Sequence, residues 1–292
     1  MALHLLQNPQ SGRRVGTNDV SRQRLAAAIE GHDVTDLTGD SAEASAAALQ
    51  EAVASGVMER LVISGGDGLV HLAIQHIAET GIPMTIVPSG TGNDFAMGLQ
   101  HAGNPVPANH IQAVDLLRVT TADSPSPRWV ASIVIAGFPA AINARANSLS
   151  LPLGPSLYTI AAIAELPTFS RSLISYEITG GDEPISRTTD TAMLAIGNTR
   201  FFGGGMLACP DALADDGLLH FTSIEGVGRL GVLRHIQQQK GGTAERDEVQ
   251  RHVGTRIELD TAGIELWGDG ERVGQSPATI EVVSHALMID RS

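Results

Sequence analysis

The sequence predicts an α/β protein of two domains: an N-terminal, doubly wound, Rossmann-like parallel sheet and a C-terminal, mainly antiparallel β-sandwich. Three observations carry that prediction. Strand-like and helix-like stretches alternate over the first hundred residues, the pattern of a parallel sheet covered on both faces. After about residue 115 the alternation gives way to short β-rich runs divided by Gly, Pro, Asp and Ser. The chain has 292 residues, and single hydrophobic cores stop growing at roughly 250–300 residues.

The elements follow in order. Leu3 to Leu6 reads as a strand entering the polar loop NPQSGRR, and Arg22 to Glu30 as a helix. Val34 to Leu37 is a second strand. Asp40 and Glu43 then form a capping-box-like start to the alanine-rich helix SAEASAAALQEAVAS. Leu61 to Ile63 is a third strand, Leu69 to Ala78 a helix and Met84 to Val87 a fourth strand, after which PSGTGND leads into a helix from Phe95. In the second half, strands are expected at Val130 to Ile135, Leu173 to Thr179, Thr191 to Ile196, Leu218 to Ile224, Arg256 to Leu259, Ile264 to Trp267 and Thr279 to Val283. Helical segments are expected around Leu157 to Glu165 and Arg229 to Gln238. TADSPSPR, 121 to 128, reads as a linker or hairpin tip, or equally as a simple surface loop. The expected domains are 1–118 and 119–283, with 284–292 returning to the first.

Composition narrows the function classes. Nineteen Lys and Arg stand against 32 Asp and Glu, a net charge of −13, which argues against non-specific nucleic-acid binding. Lys240 is the only lysine, so the first half has neither a Walker A lysine nor a protein-kinase strand lysine. A phosphate held there must rely on backbone N–H groups, Arg, hydroxyls and metal ions. No apolar run approaches the roughly 20 residues that span a bilayer. MALHLLQNPQ lacks the basic n-region and cleavage site of an export signal, and the lone Cys209 cannot form an intramolecular disulfide or a multi-cysteine metal site. A cytoplasmic enzyme is the expectation.

Residues 64 to 71, SGGDGLVH, place Gly65, Gly66 and Gly68 around Asp67, between an apolar strand and a helix start. Glycine lets the backbone approach a phosphate closely and present successive N–H groups as an anion nest. An aspartate there repels phosphate unless a cation lies between them, so Asp67 reads as a ligand, direct or through water, of nucleotide-bound Mg²⁺. The alternative is a tight turn with Asp67 capping the next helix. VPSGTGNDFA, 87 to 96, is a second such turn, with Thr91 supplying a hydroxyl and Asn93 and Asp94 a polar helix start. Because the two turns follow neighbouring strands, they should face one crevice at the carboxyl edge of the sheet. Asp269 and Glu271 lie in a third turn, WGDGERVG, which alone also reads as a plain hairpin.

In order, NPQSGR, GGDG, PSGTGNDFA, GNTRFFGGGMLACPDALADDGLLHF (197–221) and WGDGERVGQSPATIEVVSHAL (267–287) resemble the diacylglycerol kinase catalytic domain of soluble bacterial lipid kinases and sphingosine kinases. The resemblance implies an NAD kinase/phosphofructokinase-like first domain. It also implies ATP- and Mg²⁺-dependent transfer of the γ-phosphate to a lipid hydroxyl, foremost diacylglycerol to give phosphatidic acid. By the same resemblance Asn8, Thr38, Gly65, Gly66, Asp67, Gly68, Leu69, Thr91, Asn93 and Asp94 line the nucleotide site. Leu213, Asp216 and Leu218 would hold a structural Mg²⁺ through two backbone carbonyls and one carboxylate. Asp269 and Glu271 would supply the base and a carboxylate near the metal, the division between them open, with Asp67 completing the catalytic set.

The chain departs from that family at two places. The usual run of Gly-Gly-Asp-Gly-Thr, a hydrophobic residue, Asn and Glu is here Leu69, Val70, His71 and Leu72 after the glycines; Leu69 with His71 is nearer the sphingosine-kinase variant. His220 stands where an acid is common.

The implied partners are a lipid at a membrane surface, met transiently, and a second copy if the chain forms a homodimer; nucleic acid is not among them. The charge of −13 disfavours broad attraction to anionic lipid, so docking should be local. The rival functions are an NAD kinase, which shares the GGDG turn, and a catalytically silent nucleotide- or lipid-binding scaffold, suggested by Leu69 and Leu72. His71 and His76 read as helix-surface or internally satisfied histidines, Cys209 as a small buried residue, and Arg13 and Arg14 as solvated. Segment 141–169 reads as a core helix with its loop, or as the wall of a lipid pocket.

Overall fold

The computed structural model describes residues 2–8, 19–100, 110–149, 164–165, 169–229, 231 and 247–291. Arg13, Arg14 and most of the helical segments expected at 157–165 and 229–238 lie outside them.

Four parallel strands, β1 (Leu3–Gln7), β2 (Val34–Asp36), β3 (Arg60–Gly65) and β4 (Pro83–Pro88), lie side by side in the order β4-β3-β1-β2. Helix α1 (Asp19–Ile29) covers one face, where Leu25 and Ala28 pack on Leu3, Leu5, Val62 and Val87. Helices α2 (Ala42–Ala54) and α3 (Asp67–Ile77) cover the other, joining Leu49 and Ile74 to Leu6, Leu61, Ile63 and Met84. Alternate residues of β1, β3 and β4 thus feed two cores, which is why these three read as largely apolar runs, whereas the edge strand β2 is exposed at Thr35 and Asp36. The cap of α2 is Ser41, not the expected Asp40: the Ser41 hydroxyl accepts the Ala44 N–H at 3.1 Å, and Glu43 sits inside the first turn.

The second half is antiparallel. A short helix α4 (Asp94–Leu99) precedes β5 (Ile111–Thr121), which pairs with β6 (Arg128–Val130), so residues 122–127 form a hairpin tip. Then come β7 (Ile133–Gly137), α5 (Phe138–Leu149), β8 (Ser172–Thr179), β9 (Ile185–Gly197), the small hairpin β10 (Phe201–Phe202) and β11 (Met206–Leu207), and β12 (Leu219–Glu225). They are followed by β13 (Val249–Gly254), β14 (Arg256–Leu259), β15 (Glu265–Gly268), β16 (Glu271–Gln275) and β17 (Ala278–Asp290). The ladder runs β16-β15-β7-β9-β8-β14-β17, with β12 between β9 and β13. Tyr176, Ile178, Leu194, Phe221, Ile257 and Ile280 build its core, the Tyr176 and Phe221 rings 4.7 Å apart between centroids.

Two departures from the expected strands shape the site. The run Val130 to Ile135 is broken at Ala131 and Ser132, between β6 and β7. The expected strand Thr279 to Val283 continues instead to Asp290. Its first half pairs with β14 and β5, and Met288 and Ile289 pair in parallel with Pro83 and Met84 of β4. The change of partner occurs where the register shifts between Val283 and Leu287, with His285 at φ +58°, the local bend of a bulge. Among the described residues β17 therefore makes one continuous sheet of the parallel and antiparallel parts.

Candidate active site

β3 and β4 end side by side, Gly65 opposite Pro88, so both glycine turns leave the sheet together. A Cβ on Gly90 would lie 2.4 Å from the Gly66 Cα; the two turns touch through bare backbone, and a side chain at either position would part them. Asn93, at φ +60°, closes the second turn on itself: its Oδ1 accepts the Gly90 N–H at 3.1 Å and its Nδ2 donates to the Gly90 carbonyl at 2.9 Å. Thr91 is exposed at the tip. The Thr38 hydroxyl accepts the Gln7 N–H at 3.0 Å, and the Asn8 N–H donates to the Ser64 carbonyl at 3.1 Å. All of these residues stand at the carboxyl ends of adjacent strands. They flank the N-terminus of α3, where the Leu69 N–H is already bonded to the Gly66 carbonyl at 3.0 Å while those of Asp67 and Gly68 precede any intrahelical acceptor, and where the helix dipole favours anions.

Carboxylates from three elements converge beside that helix start. Asp67, the first residue of α3, accepts the Phe95 N–H through Oδ1 at 3.2 Å. Its carboxyl is pushed up to about 6, first by burial and then by the charges of Asp94 and Asp269. Asp94 is buried and also raised, chiefly by burial; its oxygens accept the N–H groups of Gly204 and Gly205. Its carboxylate is thus spent on the glycine turn between β10 and β11, joining the two halves of the chain.

Asp269, in the turn between β15 and β16, accepts the Ser132 N–H through Oδ1 and the Ala131 N–H through Oδ2, both at 2.8 Å. The break in the expected strand supplies these two donors. His71 Nδ1 lies 3.1 Å from the same Oδ2, and the Asp269 side chain is only 2% exposed. Glu271 is exposed, and its Oε1 would lie 3.7 Å from a Cβ on Gly68. Like charges packed this way oppose one another unless a cation intervenes. The donor set is hard oxygen, which suits Mg²⁺; by this chemistry Asp67 would hold the ion.

The Leu213–Leu218 turn is a separate construction. Asp216 accepts the Leu218 N–H through Oδ1 at 2.9 Å, and its Oδ2 is 3.0 Å from His220 Nε2. Both oxygens are therefore partly committed, and the unexpected His220 supplies a polar partner at this turn. Asp115 braces the turn from β5, accepting the Gly217 N–H at 2.7 Å and the His285 N–H at 2.8 Å. Sequence reasoning missed Asp115, although an acid inside the apolar run Val114-Asp115-Leu116 is the signal of a buried, satisfied carboxylate. It also missed that His71 meets Asp269 and that Gly204 and Gly205 meet Asp94.

Residues 2–123 match the family model described as diacylglycerol kinase catalytic domain, and residues 132–290 that described as YegS C-terminal NAD kinase beta sandwich-like domain. A diacylglycerol kinase of Mycobacterium tuberculosis (strain H37Rv) is 33% identical over 295 residues, covering 98% of this chain and 94% of that protein. A protein named "Probable lipid kinase YegS-like" from Xanthomonas axonopodis pv. citri is 35% identical over 221 residues, 70% of this chain and 69% of that one. A crystal structure of a diacylglycerol kinase from Bacillus anthracis shares the fold, with a TM-score of 0.66 and 17% identity, covering 100% of this chain and 97% of the other. Among the described residues no helix is long and apolar enough to cross a membrane.

Proposed function

The chain belongs to the diacylglycerol kinase catalytic-domain family and is a lipid kinase, and from that premise we propose that it transfers the γ-phosphate of ATP, with Mg²⁺, to the hydroxyl of diacylglycerol. The observation that carries this reading is the meeting of the Asp67 turn with the Asp269–Glu271 turn, where Glu271 Oε1 faces Gly68. One turn is suited to phosphates, the other to an acceptor.

Phosphoryl transfer demands little covalent chemistry from the protein; it needs in-line placement, charge compensation and a group to take the hydroxyl proton. The Asp67 and Gly68 N–H groups at the start of α3 and those past Gly90 in the second glycine turn bind the phosphates, the Ser89 and Gly90 N–H groups being bonded within the turns. Asp67 would hold Mg²⁺, which would supply charge neutralisation. Glu271 takes the acceptor's proton, because it is the exposed carboxylate at the cleft, whereas Asp269 is buried beneath two backbone donors and an imidazole. Asp269 accordingly anchors the turn.

The experiment is transfer of labelled phosphate from ATP, with Mg²⁺, to a panel of lipids in mixed micelles, with NAD as a soluble acceptor in parallel. Labelled phosphatidic acid supports the proposal. Label on another lipid corrects the substrate, label on NAD moves the function to NAD kinase, and nucleotide binding without transfer makes the chain a silent scaffold.

A further inference from the structure

We propose that His71 is a positioning residue of the transfer site: through Nδ1 it holds Asp269 against α3 and thereby sets the turn that carries Glu271. The proposal rests on the kinase reading above. Asp67, His71 and Gln75 recur at intervals of four on α3 and so share one face. Asp67 opens the phosphate turn. His71, 8% exposed, reaches Asp269, which lies 198 residues away in sequence. Gln75 bonds the Trp129 backbone in both directions, donating to its carbonyl at 2.8 Å and accepting its N–H at 3.0 Å. Trp129 belongs to β6, immediately before the Ala131 and Ser132 donors that grip Asp269 from the other side.

These bonds form a closed circuit: α3 to His71, to Asp269, to the 131–132 backbone, to Trp129 and, through Gln75, back to α3. The helix that presents the phosphate turn is thus registered to the turn that presents the acceptor-side carboxylate. Asp269 needs the grip, because it sits at φ +52°, a left-handed conformation that non-glycine residues adopt at a cost.

The choice of nitrogen makes the idea specific. An ionised carboxylate only accepts, so the nitrogen facing it carries the hydrogen. An Asn amide places an N–H donor about as far from the backbone as His Nδ1, whereas a Gln amide sits one methylene farther out. His71 Nδ1 and an Asn amide at this position are therefore equivalent donors toward Asp269.

The test compares His71→Asn, His71→Gln and His71→Ala in the lipid phosphorylation assay, with ATP affinity measured separately by calorimetry. His71→Asn should keep kcat within about threefold of wild type. His71→Gln and His71→Ala should lose about 10- to 100-fold in kcat while ATP affinity stays within twofold. Equal loss in all three, loss confined to ATP affinity, or full activity in His71→Ala overturns the proposal. Thermal unfolding of His71→Ala, Asp269→Ala and the double variant reads the bond independently of activity: non-additive losses support it, additive losses contradict it. A wild type that phosphorylates no acceptor sinks the kinase reading, and the positioning role with it, while the double-variant cycle still reports whether the bond exists.

Discussion

Asp94 Oδ2 accepts the backbone N–H of Gly204 at 2.9 Å, and Asp94 Oδ1 accepts that of Gly205 at 2.7 Å, across 110 and 111 residues of sequence. Removing the carboxylate leaves two N–H groups without their acceptor. Asp94→Ala is predicted to cost about 2 kcal/mol of stability, read by denaturant unfolding. Asp94→Asn should cost less, since its carbonyl still accepts and burial no longer opposes a charge.

Asp67 links stability to pH in a direction opposite to that of a salt-bridged acid. Its carboxyl is raised from 3.8 to about 6, so the folded protein holds a proton that the unfolded chain releases first. In metal-free protein this group's contribution is fully present below pH 4, falls as pH rises from about 4 to 6, and is gone above that. The loss amounts to about 3 kcal/mol. Asp67→Asn should flatten that window and raise the melting temperature at pH 7 without Mg²⁺, while abolishing phosphate transfer. Melting curves with and without Mg²⁺ between pH 4 and 7 check both statements.

Gly90→Ala would force its new methyl against Gly66, whose Cα lies 2.4 Å from the built Cβ. Relief requires the two glycine turns to separate. An overpacking cost of about 1–3 kcal/mol should accompany at least a tenfold weaker ATP affinity, measured by calorimetry. The equivalent substitution at Gly228, where a Cβ meets nothing within 4 Å and the backbone is not left-handed, should leave ATP affinity unchanged.

Cys209 is buried, and burial pushes its thiol up to about 12. It should be inert to a thiol-specific disulfide reagent at pH 8 in the folded protein and react at once in denaturant. Fast labelling of native protein would contradict the packing around the 197–209 segment.

Much of the fold was legible because its signals are local. Apolar runs in the first half read as strands buried on both faces, and the alternation with helices gave the parallel sheet. The glycine turns were visible for the same reason: glycine flanking an acid at a strand end has few uses. What escaped was long-range or hidden by residue type. His285 and Asp269 adopt positive φ without being glycine, so neither the bend that carries β17 into the parallel sheet nor the geometry of the Asp269 turn shows in the letters. Val130 to Ile135 is strand-like on either side of Ala131 and Ser132, and it breaks at those two residues, whose N–H groups are needed by an acid more than a hundred residues on. Ser41 outcompetes Asp40 for the helix cap by a shift of one residue. His71 is the buried, satisfied histidine of the two alternatives the sequence offers, but its partner Asp269 comes from the far end of the chain and so does not show in the letters.

In the proposed reaction Glu271 takes the acceptor's proton while Asp67 and the glycine turns hold the metal-bound nucleotide. The most direct measurement is phosphate transfer from ATP to diacylglycerol micelles by wild type and Glu271→Gln, with ATP affinity determined for both. Wild type should give labelled phosphatidic acid, and the variant a kcat lower by about 10²- to 10⁴-fold at unchanged ATP affinity. Activity within threefold of wild type in Glu271→Gln would contradict that role for Glu271.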